Sequence, residues 1–244
     1  MEFLFYFFIY SFIGWLCECV YCGIGQRRFI NRGFLFGPYC PIYGFGALII
    51  IYFLLKHKDS PPLVFISGLF LTSILEYFTS WIMELLFNEK WWDYSKYYFN
   101  INGRVCLINS ILFGIMGLVL VYFVHPKITN IYNSIPRKIS EYIILIILVL
   151  FGIDLFITIK HLIKRKEINK MLIITLNNAK HQFDNHINNQ QINQKTSFDS
   201  WIKNDVEFKE KLNKFKKLDK SHISKTFPNH KNIKNLIKKI SDSN

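Results

Sequence analysis

Apolar residues fill five long blocks in the first two thirds of the chain, roughly Phe3 to Tyr21, Ile42 to Leu55, Leu63 to Phe87, Val105 to Val124 and Tyr142 to Ile159. A helix needs about 20 residues at about 1.5 Å each to cross hydrocarbon, so the pattern predicts about five transmembrane helices. The second block falls short, because about 14 residues reach only about 21 Å. In front of it stands NRGFLFGPYCPIYGFG, Asn31 to Gly46, with four glycines and two prolines where a polar connector is the norm. The shortfall predicts that this stretch itself enters the membrane as a broken or re-entrant lead-in. Irregular backbone at that depth must then be satisfied by protein or by a water-lined cavity. An ordinary interfacial turn ending at Pro41 is the alternative.

Beyond residue 160 the pattern changes to polar residues rich in Asn, Lys and Gln. The expected fold is therefore all-α: a polytopic membrane helix bundle over 1–160, followed by a basic, partly helical tail over 161–244. The composition of residues 185–197 predicts a disordered linker. Further on, Ile233, Leu236, Ile237 and Ile240 recur at i, i+3, i+4, i+7 among lysines, the pattern of a basic amphipathic helix. Trp201 to Leu218 is a weaker example.

Charge sharpens this division. Residues 1–159 carry 11 Lys+Arg against 9 Asp+Glu, and residues 160–244 carry 19 against 8, so nearly all of the chain's net +13 is in the tail. Contact with anionic lipid accounts for that excess without a further partner, and no nucleic acid is expected; a solvated tail without a partner is the other reading. Counted over the short connectors, Lys and Arg favour one side of the membrane, which predicts the N-terminus outside and the C-terminus in the cytoplasm. The start, MEFLFYFF, lacks the basic flank of a signal peptide, and the first block is read as a true span.

Five cysteines, Cys17, Cys19, Cys22, Cys40 and Cys106, lie in or beside the blocks. Their odd number argues against a disulfide framework. Helical spacing turns Cys17 and Cys19 away from one another and no histidine is near, so no metal or cofactor is expected.

Ionisable groups inside spans are costly, and they face partners or cavities. Glu18 lies near the end of the first block, Asp154 lies in the fifth, and the third carries Glu76 and Glu84. In LTSILEYFTSWIMELLF, Thr72 and Ser73 come one turn before Glu76, Ser80 one turn after it, and Glu84 one turn further. That i, i+4, i+8 series makes one polar stripe. Either it lines a substrate or ion path, or it glues helices together by hydrogen bonds. Arg32 and Arg104 each precede a span, and each is expected to hold a carboxylate among Glu18, Glu76, Glu84 and Asp93, or else a lipid phosphate. In the connector NEKWWDYSKYYFNINGR, Trp91, Tyr97 and Tyr98 read as an interfacial belt. Trp92, Asp93, Tyr94 and Ser95 form a denser cluster that is either part of the belt or a lid.

A loose internal repeat is visible. A helix, Glu18, a basic connector, Asn31-Arg32-Gly33 and a glycine-bearing helix are followed by a helix, Glu84, an aromatic connector, Asn102-Gly103-Arg104 and a helix with Gly114 and Gly117. Two copies in the same orientation are how many transporters build a site between repeats.

The segments GWLCECVY, NRGFLFGPYCPIYGFGA, LEYFTSWIMELLF, WWDYS and NINGRVCLINSILFGIMG, in this order, closely resemble the bacterial putative ABC-transporter type IV family of CmpB-like membrane proteins. The resemblance covers roughly residues 1–125. Its pattern falls on Gly14, Trp15, Glu18, Asn31, Arg32, Gly33, Gly37, Pro38, Pro41, Tyr43, Gly44, Glu76, Tyr77, Glu84, Trp92, Asp93, Tyr94, Asn102, Gly103 and Arg104. It implies a multispanning permease of the cell membrane with no stated substrate.

No G-x-x-x-x-G-K-[ST] occurs, so this chain has no phosphate-cradling loop and an ATP-binding subunit would be a separate protein. The resulting expectation is a permease subunit whose polar centre uses Glu18, Arg32, Glu76, Ser80, Glu84, Asp93 and Arg104. Asn31, Gly33, Gly37, Pro38, Pro41, Gly44, Asn102 and Gly103 would shape the backbone around it. Two alternatives are a non-transporting scaffold or sensor and a membrane-embedded, lipid-active enzyme with Glu76 or Glu84 as general base. No nucleophile–base pair is visible for the second, and no catalytic residue is assigned.

Overall fold

The structure is a computed structural model that describes residues 1–26, 31, 33–87, 90–188, 202 and 206–219. It is a helix bundle: α1 (Glu2–Gln26), α2 (Pro41–Leu54) with a 3-10 turn (Leu55–His57), α3 (Pro61–Phe87), α4 (Leu107–Val119), α5 (His125–Ser134), α6 (Arg137–Asn188) and α7 (Val206–Asp219). Two short antiparallel strands, β1 (Asn100–Ile101) and β2 (Val105–Cys106), form a hairpin between α3 and α4. Four stretches among the described residues, Glu2–Tyr21, Pro61–Phe87, Leu107–Ser134 and Arg137–Ile187, are long and apolar enough to cross a membrane, and Pro41–His57 is a shorter apolar helix. Large apolar side chains such as Phe70, Leu85 and Phe156 stay exposed on the protein surface. That surface suits hydrocarbon, where apolar exposure carries no penalty.

Several boundaries differ from the apolar pattern, each for a local reason. The fourth block begins with β2 rather than helix, and its helix does not stop at Val124. Instead Leu120–Val124 forms a π-helical turn that leads straight into α5. Pro126 has no N–H to give the Tyr122 carbonyl four residues back, and its ring crowds that carbonyl, so the ladder widens by one residue there. His125 N–H accordingly bonds the Leu120 carbonyl. Pro136 marks the break before α6, its carbonyl receiving the Ile139 and Ser140 N–H groups at 2.9 and 3.1 Å.

The chain divides into two units, Met1–Thr158 and Ile159–Asn244. In the first, small residues bring helices into close contact, the usual basis of packing where lipid removes a hydrophobic drive between helices. A Cβ on Gly44 would strike the Ser11 hydroxyl and sit 2.7 Å from the Phe7 carbonyl oxygen, and Gly14 lies directly against Tyr43. This is the α1–α2 contact. Gly114 fits beside Phe65 in the α3–α4 contact, where Ser73 Oγ and Ser110 Oγ also lie 2.7 Å apart, within hydrogen-bond distance. Tyr6, Tyr10, Ala47 and Ile51 form one apolar cluster, and Ile50, Leu54, Val64 and Val121 another.

The second unit has a small core of its own: Leu172, Leu176, Ala179, Phe183, Ile202 and Phe208, with Ile168, Ile187 and Leu212 packed against it. Lys211 Nζ donates to Thr175 Oγ1 at 2.8 Å across the same contact. Two expectations change here. Residues 185–188 belong to the end of α6 instead of opening a linker, because Phe183 and Ile187 are held by that core. In the Trp201–Leu218 stretch, Ile202 and Phe208 are buried in this core and Leu212 packs against it partly buried, so these three are turned to protein and not offered to a lipid surface. The rest of the expected linker and the pattern Ile233 to Ile240 lie outside the described residues.

Candidate functional site

The Gly/Pro stretch runs back along α1 instead of leaving it. Cys40 N–H bonds the Ser11 carbonyl at 2.9 Å, so α2 starts level with the middle of α1. Ser11 is about ten residues, roughly 15 Å, from Tyr21 along the helix. On the way, Asn31 Oδ1 accepts from Trp15 Nε1 at 2.6 Å and from Gly33 N–H at 3.0 Å, while Asn31 Nδ2 donates to the Phe36 carbonyl. Leu35 is fully buried. A Cβ on Gly33 would meet Trp15 Cδ1 at 3.1 Å and the Tyr39 carbonyl oxygen at 3.0 Å, so the backbone lies too close for a larger residue. Pro38 follows directly, and Pro41 opens α2 at a position whose N–H has no helical partner in any case. The short second block thus follows from backbone spent on the descent.

The far side of this stretch is held by a residue to which the sequence assigns only an intramembrane position. Asp154, on the apolar part of α6, accepts from Phe36 N–H at 3.1 Å and Gly37 N–H at 2.7 Å, and Thr158 Oγ1 lies 3.3 Å away. Its Oδ2 is where a Gly37 Cβ would collide, at 3.0 Å. A carboxylate that satisfies two free backbone donors also acquires partners for its own charge. Arg32 lies outside the described residues.

The polar stripe of α3 divides in two. Thr72 and Ser73 return their hydroxyls to the backbone one turn back, on Gly68 and Leu69, and Ser73 also bridges to Ser110. These are helix-to-helix contacts. Glu76 and Ser80 differ: Glu76 is 4 % exposed and Ser80 1 %, yet Glu76 Oε2 and Ser80 Oγ have no hydrogen-bond partner among the described residues. The other Glu76 oxygen accepts from the Tyr94 hydroxyl at 3.1 Å. The Asn109 side-chain amide is a second hydrogen-bond donor to this carboxyl group, and Glu18 is its charged neighbour. Glu18 in turn accepts from the Tyr43 hydroxyl at 2.6 Å. Two carboxylates, each capped by a tyrosine, therefore approach one another between α1, α2, α3 and the connector that follows α3. Tyr94 lies outside the spans, and burial, reinforced by Glu76 and Glu18, pushes its hydroxyl well above the usual tyrosine range. It remains a protonated donor at physiological pH.

Glu84 takes the arginine. Arg104 Nη2 donates to Glu84 Oε2 at 2.6 Å, and the guanidinium stacks over the Tyr77 ring, 5.4 Å from its centre. Its carrier is the β1–β2 hairpin. Asn102 and Gly103 occupy the turn at φ 54° and 68°, a region that asparagine and glycine tolerate best. Trp92 Nε1 donates to the Arg104 carbonyl at 2.8 Å, Tyr94 N–H bonds the Gly103 carbonyl at 2.8 Å, and Asn102 Nδ2 donates to the Tyr77 hydroxyl at 3.0 Å. Among the described residues Asp93 pairs with no arginine; it accepts both the N–H and the hydroxyl of Ser95, which hold its carboxyl below the usual range. The cluster Trp92 to Ser95 is accordingly a bracket that presents Arg104 to Glu84 and Tyr94 to Glu76. Trp91 departs from the belt reading: it is buried, with Phe34 and Phe87 as ring neighbours, whereas Tyr97 and Tyr98 are exposed.

Both halves of the loose repeat close in the same manner. An asparagine in the connector bonds an aromatic group of the preceding helix, Asn31 with Trp15 and Asn102 with Tyr77, and the helix-end glutamate receives a donor from beyond the connector, Tyr43 for Glu18 and Arg104 for Glu84. The pairing that sequence reasoning missed is the tyrosine on each of Glu18 and Glu76. A signal was present in the recurrence of Trp-x-x-Glu at Trp15–Glu18 and Trp81–Glu84, which aligns the helix ends. Cys17, Cys19, Cys40 and Cys106 are free thiols, and no group of three or more metal-ligating side chains occurs among the described residues.

Residues 5–159 match the family model described as putative ABC-transporter type IV. No curated protein and no solved structure matches the chain.

Proposed function

The chain belongs to the putative ABC-transporter type IV family, and from that premise we propose that it is the membrane-spanning permease subunit of a transport system. The observation that carries this reading is the buried carboxylate Glu76 with the half-buried Glu18 beside it, held by Tyr94 and Tyr43 at the point where α2 begins half-way along α1. A half-helix that starts inside a bundle beside polar groups is how many transporters form a binding site near the bilayer midplane. Arg104 with Glu84 locks one rim of this centre and Asp154 with Gly37 steadies the other. In this reading the protein resides in the bacterial cell membrane with the N-terminus outside and the C-terminus in the cytoplasm. The second unit, which carries the basic excess, then faces the side on which a separate ATP-binding subunit docks. Anionic lipid contact by the segments beyond α7 is a further part of this reading.

The test is purification of the full chain from native membranes under mild detergent. A stoichiometric ATP-binding subunit supports the permease; a soluble regulator without an ATPase supports a scaffold or sensor, for which the separate core of residues 159–244 speaks. If Glu76→Gln and Arg104→Gln proteins express normally and keep full transport, the polar centre has no part in it.

A further inference from the structure

We propose that Glu76 and Ser80, with Glu18 beside them, form a binding site for one exchangeable monovalent cation, a proton or a sodium ion. The inference deepens the proposed function by naming what its polar centre binds, and it rests on reading that centre as a site rather than as packing between helices.

Two independent observations meet here. Glu76 is 4 % exposed, and among the described residues one of its carboxyl oxygens has no hydrogen-bond partner. One turn along the same face, Ser80 is 1 % exposed, and its Oγ has no partner among the described residues either, although serine hydroxyls in helices ordinarily bond the carbonyl one turn back, as Ser73 does in this helix. An i, i+4 pair on one face brings the two groups together, because side chains tilt toward the helix N-terminus and Ser80 leans toward Glu76. A buried ionised carboxylate needs a compensating charge.

The surrounding elements bring none among the described residues. From α1 comes Glu18, a second carboxylate; from α2, Tyr43, a neutral donor already bound to Glu18; from the connector after α3, Tyr94, a neutral donor bound to Glu76 Oε1; from the start of α4, Asn109, a neutral amide, with the Cys106 thiol next to Tyr94. On α3 itself, Glu84 has the Arg104 guanidinium. The buried Glu76 carboxylate, with Glu18 beside it and no cationic side chain among its described neighbours, calls for a compensating charge, so the site takes up one positive charge. A proton on Glu76 would convert its free oxygen into a donor. A sodium ion would use the same oxygen together with Ser80 Oγ, hard ligands of the kind small cations prefer. Both fill the same vacancy of charge.

The experiment uses the full chain in lipid nanodiscs, without ATPase or transport substrate. Its readouts are 22Na+ retention, the infrared carbonyl band of a protonated carboxyl group, and melting temperature as Na+ replaces choline or as pH changes at constant ionic strength. For sodium, the wild type retains 22Na+ and melts higher with Na+, and Ser80→Ala weakens retention by about tenfold, the scale of one lost ligand. For a proton, the wild type shows a protonated-carboxyl band near neutral pH that Glu76→Gln lacks, and its melting temperature falls relative to Glu76→Gln as pH rises. The proposal is overturned if the wild type retains no 22Na+ and shows no such band, a result that needs no variant to fold. It is equally overturned if Na+ and pH act alike on wild type, Glu76→Gln and Ser80→Ala. A chain that binds the cation yet recruits no ATP-binding subunit would keep this inference and lose the permease reading.

Discussion

Replacing Asp154 by alanine should release the segment that lets α2 start inside the bundle. Two backbone donors depend on this carboxylate, Gly37 N–H at 2.7 Å and Phe36 N–H at 3.1 Å. A hydrogen bond to a charged group contributes about 1.5–3 kcal/mol net. The Phe36 bond lies at the surface and the Gly37 bond is only partly buried, so the loss for the local structure is about 2–4 kcal/mol rather than the full sum. Asp154→Asn keeps an acceptor but loses the charge, and should cost about half as much. Global melting is a blunt readout for a change confined to one loop. Cys40 is a sharper one: it is 7 % exposed and directly precedes α2. With Cys17, Cys19, Cys22 and Cys106 replaced by alanine, Cys40 is the sole thiol, and its labelling by a small water-soluble maleimide reports opening of the segment. At about 1.4 kcal/mol per factor of ten, Asp154→Ala should raise the labelling rate by about 30- to 1,000-fold and Asp154→Asn by clearly less. If Cys40 labels at the wild-type rate in Asp154→Ala, the carboxylate does not hold the segment, and the account of the short second helix given above fails with it.

Other substitutions test the remaining contacts. Gly44→Ala should destabilise the α1–α2 contact by about 1–3 kcal/mol, because its Cβ meets the Ser11 hydroxyl and the Phe7 carbonyl, whereas Gly152→Ala, with nothing within 4 Å, should leave the melting temperature unchanged. A double-mutant cycle on Glu84→Gln and Arg104→Gln should return a coupling of about 1–2 kcal/mol, between the values for exposed and buried pairs, since the two side chains are 34 % and 15 % exposed. Gly103→Ala should strain the hairpin turn and press on Ser95 Oγ, 2.5 Å from the new Cβ, and a changed Trp92 emission spectrum would show it. Asp93 has its carboxyl held below the usual range by Ser95, so its contribution to the hairpin is complete above about pH 4, the unfolded value, and is lost as pH falls through the lower folded value. An acid titration of tryptophan fluorescence should therefore show a transition in wild type that Asp93→Asn lacks.

Much of this protein is decided by local pattern. Apolar blocks of bilayer length, read at 1.5 Å per residue, determine an all-α membrane bundle, and a 14-residue second helix already singles out its Gly/Pro lead-in as an irregular segment. An arginine beside a span likewise calls for an anionic partner, a carboxylate or a lipid phosphate, although not which one. Local periodicity also misled: Trp91 read as an interfacial aromatic because its neighbours in sequence are amphipathic rings, while Phe34, distant in the chain, covers it.

The choices left open are contacts between helices, which depend on how far one helix has slid along another. A slip of one turn, about 5.4 Å, would exchange Glu76 for Ser80 opposite any given partner, and a slip of two turns would bring Glu84 there, without changing a single local propensity. Gly14 against Tyr43, Gly44 against Ser11 and Gly114 against Phe65 set that register by close approach. Only then does Arg104 meet Glu84, do Tyr43 and Tyr94 fall to Glu18 and Glu76, and does Asp154 reach the backbone of Phe36 and Gly37. The residue types were present in the sequence as chemistry without addresses; the addresses come from packing, because a hydrogen bond of about 3 Å is far shorter than the turn-to-turn ambiguity of a helix.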